Sequence, residues 1–321
     1  MESQQIKKIA VIGTGVIGNG WIARFLAHGF DVIAIDPATG AEKRMRQAVD
    51  HAWPQLKKRG LAGGASRERL HFETNLEKAV SEADLIQENV PEREELKRSI
   101  LAEIDQYAKP EAIIASSTSG YKPSTLQEDC LNNPGRVIVA HPFNPVYLLP
   151  LIELVGGKAT TPDIMEKAKK TYEAIDMKPL IINHEIEGHI ADRLMEALWR
   201  EALHLVNDGI ATTEEVDAAI VYGAGLRWAL MGPFLTFHLA GGDQGIRHML
   251  SQFGPALKLP WTKLTAPELT EELTEKIVAG SEAQTEGQSM RKLEERRDDF
   301  LVELDELLKK YRPTANLNGE L

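Results

Sequence analysis

The sequence predicts an α/β protein in which a mostly parallel sheet with helices is followed by an all-helical region. Two observations predict this fold class. In the first part of the chain, short apolar runs alternate with segments of helical periodicity, and this alternation is typical of a parallel sheet. The strand signals stop near residue 185, and the later periodic segments are helical. We therefore expect two domains, residues 1–185 and residues 186–321.

Seven apolar runs are predicted to be strands. In chain order they are IKKIAVIG, DVIAID, ADLIQEN, EAIIASS, RVIVAH, LIELVGG and KPLIINH. Helical periodicity in the first part covers residues 16–28, 40–58, 92–107 and 163–176. In the second part it covers residues 188–208, 213–221, 233–254, 267–280 and 284–311. Turn signals such as NDG, YGAG, FGP and KLP separate these later helices.

The composition argues against several classes of protein. A net charge of −11 disfavours binding to nucleic acid. No apolar run approaches the roughly 18 residues needed to span a membrane, and the N-terminus lacks a signal-peptide pattern, so we expect a cytoplasmic protein. The single cysteine, Cys130, cannot form an intrachain disulfide or a thiolate metal cluster. The spacing of histidines and acids indicates no metal site.

A glycine-rich turn, VIGTGVIG, joins the first predicted strand to the first predicted helix. Its first glycine permits a tight turn, the second lets a pyrophosphate approach the backbone, and the third lets the helix pack on the strand. An acid ends the second strand, where it can bind both ribose hydroxyls and repel a 2′-phosphate. The sequence therefore predicts a Rossmann-type domain that binds NAD rather than NADP. The predicted cofactor-binding residues are Gly13, Thr14, Gly15, Val16, Ile17, Gly18 and Asp36.

A histidine, His141, ends the strand RVIVAH, and Glu153 follows it by twelve residues. Such strand ends open onto the cofactor crevice of a parallel sheet. Oxidation of an alcohol needs a base for the hydroxyl proton, and histidine suits this role because its pKa lies near neutrality. A carboxylate that binds the histidine can fix which of its ring nitrogens carries the hydrogen. Taken alone, a histidine beside two prolines is more commonly structural. The hydroxyls of SSTS, residues 116–119, could likewise bind a ligand or cap the next helix.

Together these segments resemble the 3-hydroxyacyl-CoA dehydrogenase superfamily, over most of the chain. The resemblance rests on the glycine turn, ENVPE at 88–92, SSTS, HPFNP at 141–145, LIELVGG, the helix from residue 188 and GPF at 232–234. It implies that His141 is the general base, that Glu153 orients it and that Ser119 hydrogen-bonds the substrate oxygen. It also implies an all-helical second domain that forms a homodimer and closes over the nicotinamide.

Within the superfamily the chain is most similar to the branch that oxidises small 3-hydroxy acids, as GNGWIARFLAHGFDV and GLRWALMGPF indicate. The expected substrate is L-carnitine, with L-gulonate next. One basic cluster, KKR at residues 57–59, gives thin support for binding the phosphates of CoA. The alternatives are therefore another 3-hydroxy acid, including a 3-hydroxyacyl-CoA, or a non-catalytic NAD-binding structural protein. Retention of the His and Glu pair disfavours the last.

L-Carnitine needs a cation for its carboxylate, and aromatic faces or a negative charge for its trimethylammonium group. The candidates for the carboxylate are Arg193 and Arg227, with Arg227 preferred and Lys122 a weaker third. The aromatic candidates for the ammonium are Phe143, Trp199, Tyr222, Trp228 and Phe253. The pocket wall is expected to include Gly188, Ile190, Ala191, Gly223 and Ala224. His189 adjoins this region but matches no motif and is not assigned a role.

The superfamily usually has asparagine where this chain has Asp192, and a carboxylate cannot donate the amide's hydrogen bond unless it is protonated. Asp192 could simply interact with the helix dipole and a nearby arginine. Alternatively it selects a cationic substrate against an anionic acyl-CoA. For that role, four residues are predicted to share one helix face: Gly188, Asp192, Met195 and Trp199. The candidate catalytic set is His141, Glu153, Ser119 and Asp192.

Overall fold

The structure is a computed structural model that describes residues 6–310, except residues 264, 266, 267, 269, 285 and 286. The chain divides into two compact units, the first ending at Asp192 and the second beginning at Arg193. The division into functional domains at residue 185 stays a prediction. Parts of two predicted helices, at residues 267, 269, 285, 286 and 311, lie outside the described residues.

The described part of the first unit contains an eight-stranded sheet with the order β3-β2-β1-β4-β5-β6-β7-β8. Neighbouring strands are parallel except β6 and β7, which are antiparallel. The strands are β1 (Lys8–Ile12), β2 (Asp31–Ile35), β3 (Leu70–Glu73), β4 (Leu85–Glu88), β5 (Ile113–Ser116), β6 (Val137–Pro142), β7 (Leu151–Gly156) and β8 (Lys178–Ile182). The predicted mostly parallel architecture is confirmed. The predicted strands omit β3, because its segment LHFE alternates apolar and polar side chains and lacks a continuous apolar run.

Apolar side chains cover both faces of this sheet. Along β1, Ile9 and Val11 join one buried cluster, whereas Ala10 and Ile12 join another. Strands buried on both faces are nearly continuous apolar runs, which explains why most of them could be predicted from the sequence. The helices of this unit are α1 (Val16–Ala27), α2 (Ala41–Arg59), α3 (Leu76–Val80), α4 (Glu94–Tyr107), α5 (Pro123–Gln127) and α6 (Pro162–Glu173).

The second unit is helical wherever its regular structure is described, as predicted. Its helices are α7 (Ala191–Asn207), α8 (Thr213–Ala219), α9 (Gly225–Trp228), α10 (Pro233–Ala240), α11 (Gly245–Phe253), α12 (Glu271–Gln284) and α13 (Met290–Lys309). The first two residues of α7 belong to the first unit. The prediction of one helix over 233–254 is wrong. Gly242 and Gly245 have φ values of 61° and 60°, and this left-handed backbone interrupts the helix.

The prediction that a helix starts at residue 188 is also wrong. Gly188 and His189 have φ values of 72° and 48°, so both are in the left-handed region and precede α7. Gly188 therefore does not share a helix face with Asp192, whereas Met195 and Trp199 do lie within α7. Two consecutive left-handed residues form a turn that the apolar periodicity of the following helix conceals.

No single helix among the described residues is long and apolar enough to cross a membrane. One sharply bent pair, Thr213–Trp228 with Pro233–Ala240, meets the length and composition criteria only when its two helices are taken together.

Candidate functional site

The glycine-rich turn between β1 and α1 combines two tightly packed glycines with one that borders open space. A Cβ at Gly13 would lie 2.7 Å from the carbonyl oxygen of Asn89, and a Cβ at Gly18 would lie 2.0 Å from that of Gly13. At Gly15, by contrast, a Cβ would meet no atom within 4 Å. Among the described residues no side chain caps the N-terminus of α1, which starts at the exposed Val16. A pyrophosphate therefore fits here, against the N–H groups and the positive end of the helix.

Asp36, directly after β2, is held beside this turn. One of its carboxylate oxygens accepts hydrogen bonds from the backbone N–H of Thr14 at 2.8 Å and from its hydroxyl at 2.9 Å. The other accepts from the N–H of Ala38 at 2.9 Å. Burial alone would raise the pKa of Asp36, but these hydrogen bonds and the charge of Arg44 hold it below its usual value. The ionised carboxylate suits ribose hydroxyls and disfavours a 2′-phosphate, in agreement with the preference predicted for NAD.

The base candidate lies at the same edge of the sheet as this turn. The parallel strands β1, β4, β5 and β6 all end there. The backbone ladder continues beyond the strands, since Asn89 N–H donates to Ile12 and Ser117 N–H donates to Glu88. His141, near the end of β6, is therefore brought to the edge where a cofactor lies in folds of this kind.

His141 and Glu153 form a buried pair across the antiparallel strands β6 and β7. They are directly opposed in the register, which explains their separation of twelve residues in sequence. Nδ1 of His141 lies 2.9 Å from Oε2 of Glu153, and the two side chains are 5% and 0% exposed. Because an ionised carboxylate can only accept, Nδ1 carries the hydrogen and Nε2 keeps its lone pair. The geometry thus leaves Nε2 able to accept a proton.

The other carboxylate oxygen of Glu153 is bound by the start of α7. It accepts hydrogen bonds from the N–H groups of Ile190 and Ala191, each at 2.9 Å. Such groups at a helix N-terminus have no partner within the helix, and they form its positive end. Burial would raise the pKa of Glu153, but the bonds from His141, Ala191 and Ile190 outweigh it and hold the pKa below its usual value. Glu153 can therefore offset a positive charge on His141.

Two further predicted residues lie beside the base. Oδ2 of Asp192 is 3.7 Å from Nε2 of His141, a separation that allows charge attraction but exceeds a hydrogen bond. The ring centroid of Phe143 is 5.0 Å from that of His141, in an edge-to-face arrangement. The structure thus brings a carboxylate near Nε2 of His141 and an aromatic ring beside the His141 ring.

Ser119 is exposed in the loop that follows β5. Its neighbour Thr118 is buried, and the Thr118 hydroxyl accepts hydrogen bonds from the N–H groups of Gly120 and Tyr121. That hydroxyl also donates to Glu92. The loop is therefore anchored at Thr118 while the hydroxyl of Ser119 stays accessible to a ligand.

His189 is the residue of this region that the sequence does not assign. It is fully buried, and its ring centroid is 5.3 Å from that of His141. Its Nε2 lies 3.2 Å from the carbonyl oxygen of Thr118. Burial, followed by the charge of His141, lowers the pKa of His189 and favours a neutral ring. Its place directly after a glycine and before a helix is the signal that could have drawn attention to it.

The remaining substrate candidates belong to the second unit. They are Arg193, Trp199, Gly223, Ala224, Arg227, Trp228 and Phe253, and all but Ala224 are exposed there. Their roles toward a substrate stay predictions. Lys122, the weaker candidate for the carboxylate, forms an ion pair with Glu187 at 2.5 Å.

The described residues contain no group of three or more His, Cys, Asp or Glu side chains that could hold a metal ion. Cys130 is buried, and burial, with Asp105 and Asp129 nearby, raises the pKa of its thiol to about 12. A reactive thiolate is therefore not available at this position near neutral pH.

Two family models cover most of the chain. Residues 8–186 match the model of the 3-hydroxyacyl-CoA dehydrogenase NAD binding domain, and residues 188–287 match that of the C-terminal domain. Among curated relatives, the chain is 69% identical to a protein named L-carnitine dehydrogenase from Bacillus cereus, over 100% of this chain and 98% of that protein. It is 63% identical to the L-carnitine dehydrogenase of Oceanobacillus iheyensis, over 96% of this chain and 100% of that protein.

Solved structures agree with these matches. A 5-formyl-3-hydroxy-2-methylpyridine 4-carboxylic acid 5-dehydrogenase, described as an NAD+ dependent dismutase, superposes with a TM-score of 0.80 at 28% identity. That match covers 96% of this chain and 100% of the other. FadB2 of M. tuberculosis superposes with a TM-score of 0.65 at 26% identity, over 86% of this chain and 95% of the other.

Proposed function

We propose that this chain, which belongs to the 3-hydroxyacyl-CoA dehydrogenase family, oxidises the 3-hydroxyl of L-carnitine to 3-dehydrocarnitine with NAD. The matches confirm the predicted family and the predicted cofactor, NAD. One observation carries the proposal for the substrate. The chain is 69% identical over its full length to a protein named L-carnitine dehydrogenase. The buried pair of His141 and Glu153 supports the proposed chemistry.

In the proposed mechanism His141 removes the proton of the substrate hydroxyl. Nε2 is the accepting atom, because Nδ1–H is already bound by Glu153. When bound, NAD accepts the hydride from the carbon that carries this hydroxyl. The proton taken by His141 makes its ring a cation, which the ionised Glu153 stabilises at 2.9 Å. Glu153 keeps its charge in this buried place because two backbone N–H groups also bind it.

We assign Ser119 to the substrate oxygen. Its exposed hydroxyl can donate a hydrogen bond to that oxygen, and the anchored Thr118 limits the movement of the loop. Ser119 and His141 would then both bind the substrate oxygen and restrict its position. Such positioning accounts for a large part of the rate enhancement of enzymes.

We assign Asp192 and Phe143 to the trimethylammonium group. This cation has no N–H to donate, so recognition depends on negative charge and on aromatic faces. In L-carnitine a single methylene separates the hydroxyl-bearing carbon from the ammonium nitrogen, so a group beside the base is also beside the cation. Asp192, 3.7 Å from Nε2 of His141, meets this requirement. A carboxylate there also repels an anionic acyl-CoA.

Asp192→Asn is expected to raise KM for L-carnitine by about tenfold, equivalent to about 1.4 kcal/mol of lost charge attraction. The control substrate is 3-hydroxy-5,5-dimethylhexanoate, in which a neutral tert-butyl group replaces the trimethylammonium group. Its KM should change by less than about threefold in the same variant. Equal changes for both substrates would contradict a role for Asp192 in recognising the cation.

The substrate carboxylate is assigned to the second unit, with Arg227 as first candidate and Arg193 as second. A guanidinium binds a carboxylate by two hydrogen bonds, which lysine cannot do. The other predicted substrate residues keep their proposed role, with Gly188, Ile190 and Ala191 in the first unit and Gly223, Ala224, Trp199, Trp228 and Phe253 in the second.

The decisive experiment measures NADH formation with L-carnitine, L-gulonate and 3-hydroxybutyryl-CoA in parallel. We expect the highest kcat/KM with L-carnitine. Turnover of another substrate without turnover of L-carnitine would overturn the proposed substrate. Binding of NAD without turnover of any of the three would instead indicate a non-catalytic NAD-binding protein.

We further propose a homodimer in the cytoplasm. Large apolar side chains are exposed on the second unit, and such side chains commonly mark surfaces between proteins. Among the described residues of this unit, the most exposed are Tyr222, Phe234, Leu257, Ile210 and Trp261.

A further inference from the structure

The segment 185–191, which we name the strap, leads from β8 toward α7 and binds the loop that carries Ser119. Three alternate residues of the strap contact this loop and the start of α5 in antiparallel order. The pairs are Glu185 with Ser124, Glu187 with Lys122, and His189 with Thr118. Glu185 accepts two hydrogen bonds from Ser124, from its N–H and its hydroxyl, each at 2.6 Å. The strap is thus joined along its length to the loop and to the start of α5.

The end of the strap also holds the partner of the base. The N–H groups of Ile190 and Ala191 donate to Glu153, as described above. One short segment therefore contacts both parts of the site that act on the substrate hydroxyl: the loop of Ser119 and the pair of His141 and Glu153.

His189 is placed between these two parts. Its ring is fully buried and contacts the ring of His141, with 5.3 Å between centroids. Since a carbonyl can only accept, the Nε2 that approaches Thr118 must carry a hydrogen. Nδ1 is then an acceptor in the neutral ring, and it is buried with no hydrogen-bond partner among the described residues.

We propose that His189 is a positioning residue for the oxidation: by donating Nε2–H to Thr118 while its ring contacts His141, it fixes the Ser119 loop relative to the base. The inference rests on the proposed function, because it assigns Ser119 and His141 to the same substrate oxygen. His189 is not a second base. Its Nε2 is engaged with Thr118, and no part of its ring is exposed.

Two substitutions distinguish the hydrogen-bonding role of His189 from a role in packing alone. His189→Gln keeps an amide N–H at nearly the position of Nε2, whereas His189→Phe keeps the ring and loses the donor. Both place a non-glycine side chain at the same left-handed backbone position, so backbone strain affects them alike. We expect His189→Phe to lower kcat for L-carnitine by about 10- to 100-fold, with a smaller change in KM. His189→Gln should stay within about threefold of the natural protein.

Each variant is also tested for NAD affinity by titration and for its thermal unfolding midpoint, both of which should match in the two variants. The histidine signals that His189→Gln removes from the 15N NMR spectrum belong to His189. In the natural protein these signals should show a hydrogen on Nε2 and none on Nδ1. The proposal is overturned if His189→Phe keeps full kcat, if His189→Gln loses as much as His189→Phe, or if Nδ1 carries the hydrogen. Failure of the natural protein to oxidise L-carnitine would instead contradict the proposed function.

Discussion

His141→Gln is expected to lower kcat for L-carnitine by about 10²- to 10⁴-fold, which is the usual contribution of a general base. Glutamine can hydrogen-bond the substrate hydroxyl, but its amide does not accept a proton near neutral pH. The structure leaves Nε2 of His141 as the accepting atom, since Nδ1 is bound by Glu153 at 2.9 Å. The measurement is the rate of NADH formation at saturating NAD and L-carnitine.

The cofactor turn supplies the control for this variant. The turn lies at Gly13 to Gly18 and does not include His141, so the affinity for NAD should stay within about twofold. A variant that keeps the rate of the natural protein would exclude His141 as the base. A variant that loses NAD binding as well would point to a structural role.

Glu153→Gln is expected to lower kcat by about 10²- to 10⁴-fold and the free energy of unfolding by about 1–3 kcal/mol. The carboxylate accepts Nδ1–H of His141 at one oxygen and the N–H groups of Ile190 and Ala191 at the other. An amide has only one accepting oxygen. In either orientation its NH2 group meets a donor, so either the base loses its orientation or the start of α7 loses its partner.

Glu166→Gln is a matched control, because it removes the same charge from an exposed position on α6 of the same unit. It breaks a surface ion pair with Lys170, which contributes little to stability because solvent screens the two charges. Denaturant unfolding and steady-state kinetics on both variants distinguish loss of charge from loss of geometry. If the two variants behave alike, Glu153 does not orient the base.

The glycine turn and the pair of His141 and Glu153 could be predicted from the sequence, because each needs particular residue types at a fixed separation. The glycines of the turn are needed because a Cβ at Gly13 or Gly18 would collide with backbone. The separation of His141 and Glu153 follows from their register across one hairpin. Most of the buried strands could be predicted because both faces of the sheet are covered, so their sequences are nearly continuous apolar runs.

What the sequence concealed depends on the backbone. The N–H groups of Ile190 and Ala191 bind Glu153, and backbone donors have no residue signature. Gly188 and His189 have left-handed backbone conformations and form a turn that precedes α7. The apolar periodicity of the sequence continues across this turn and therefore does not reveal it. For the same reason the contact of His189 with Thr118 could not be predicted, because it depends on where this turn directs the ring.

The antiparallel pairing of β6 with β7 also affects the order in which the site can assemble during folding. The parallel pairs of this sheet need long crossover connections, whereas His141 and Glu153 meet across a hairpin of low contact order. Closing so short a loop costs little chain entropy. The base and its carboxylate can therefore meet within this hairpin before the N–H groups of residues 190 and 191 complete the coordination of Glu153.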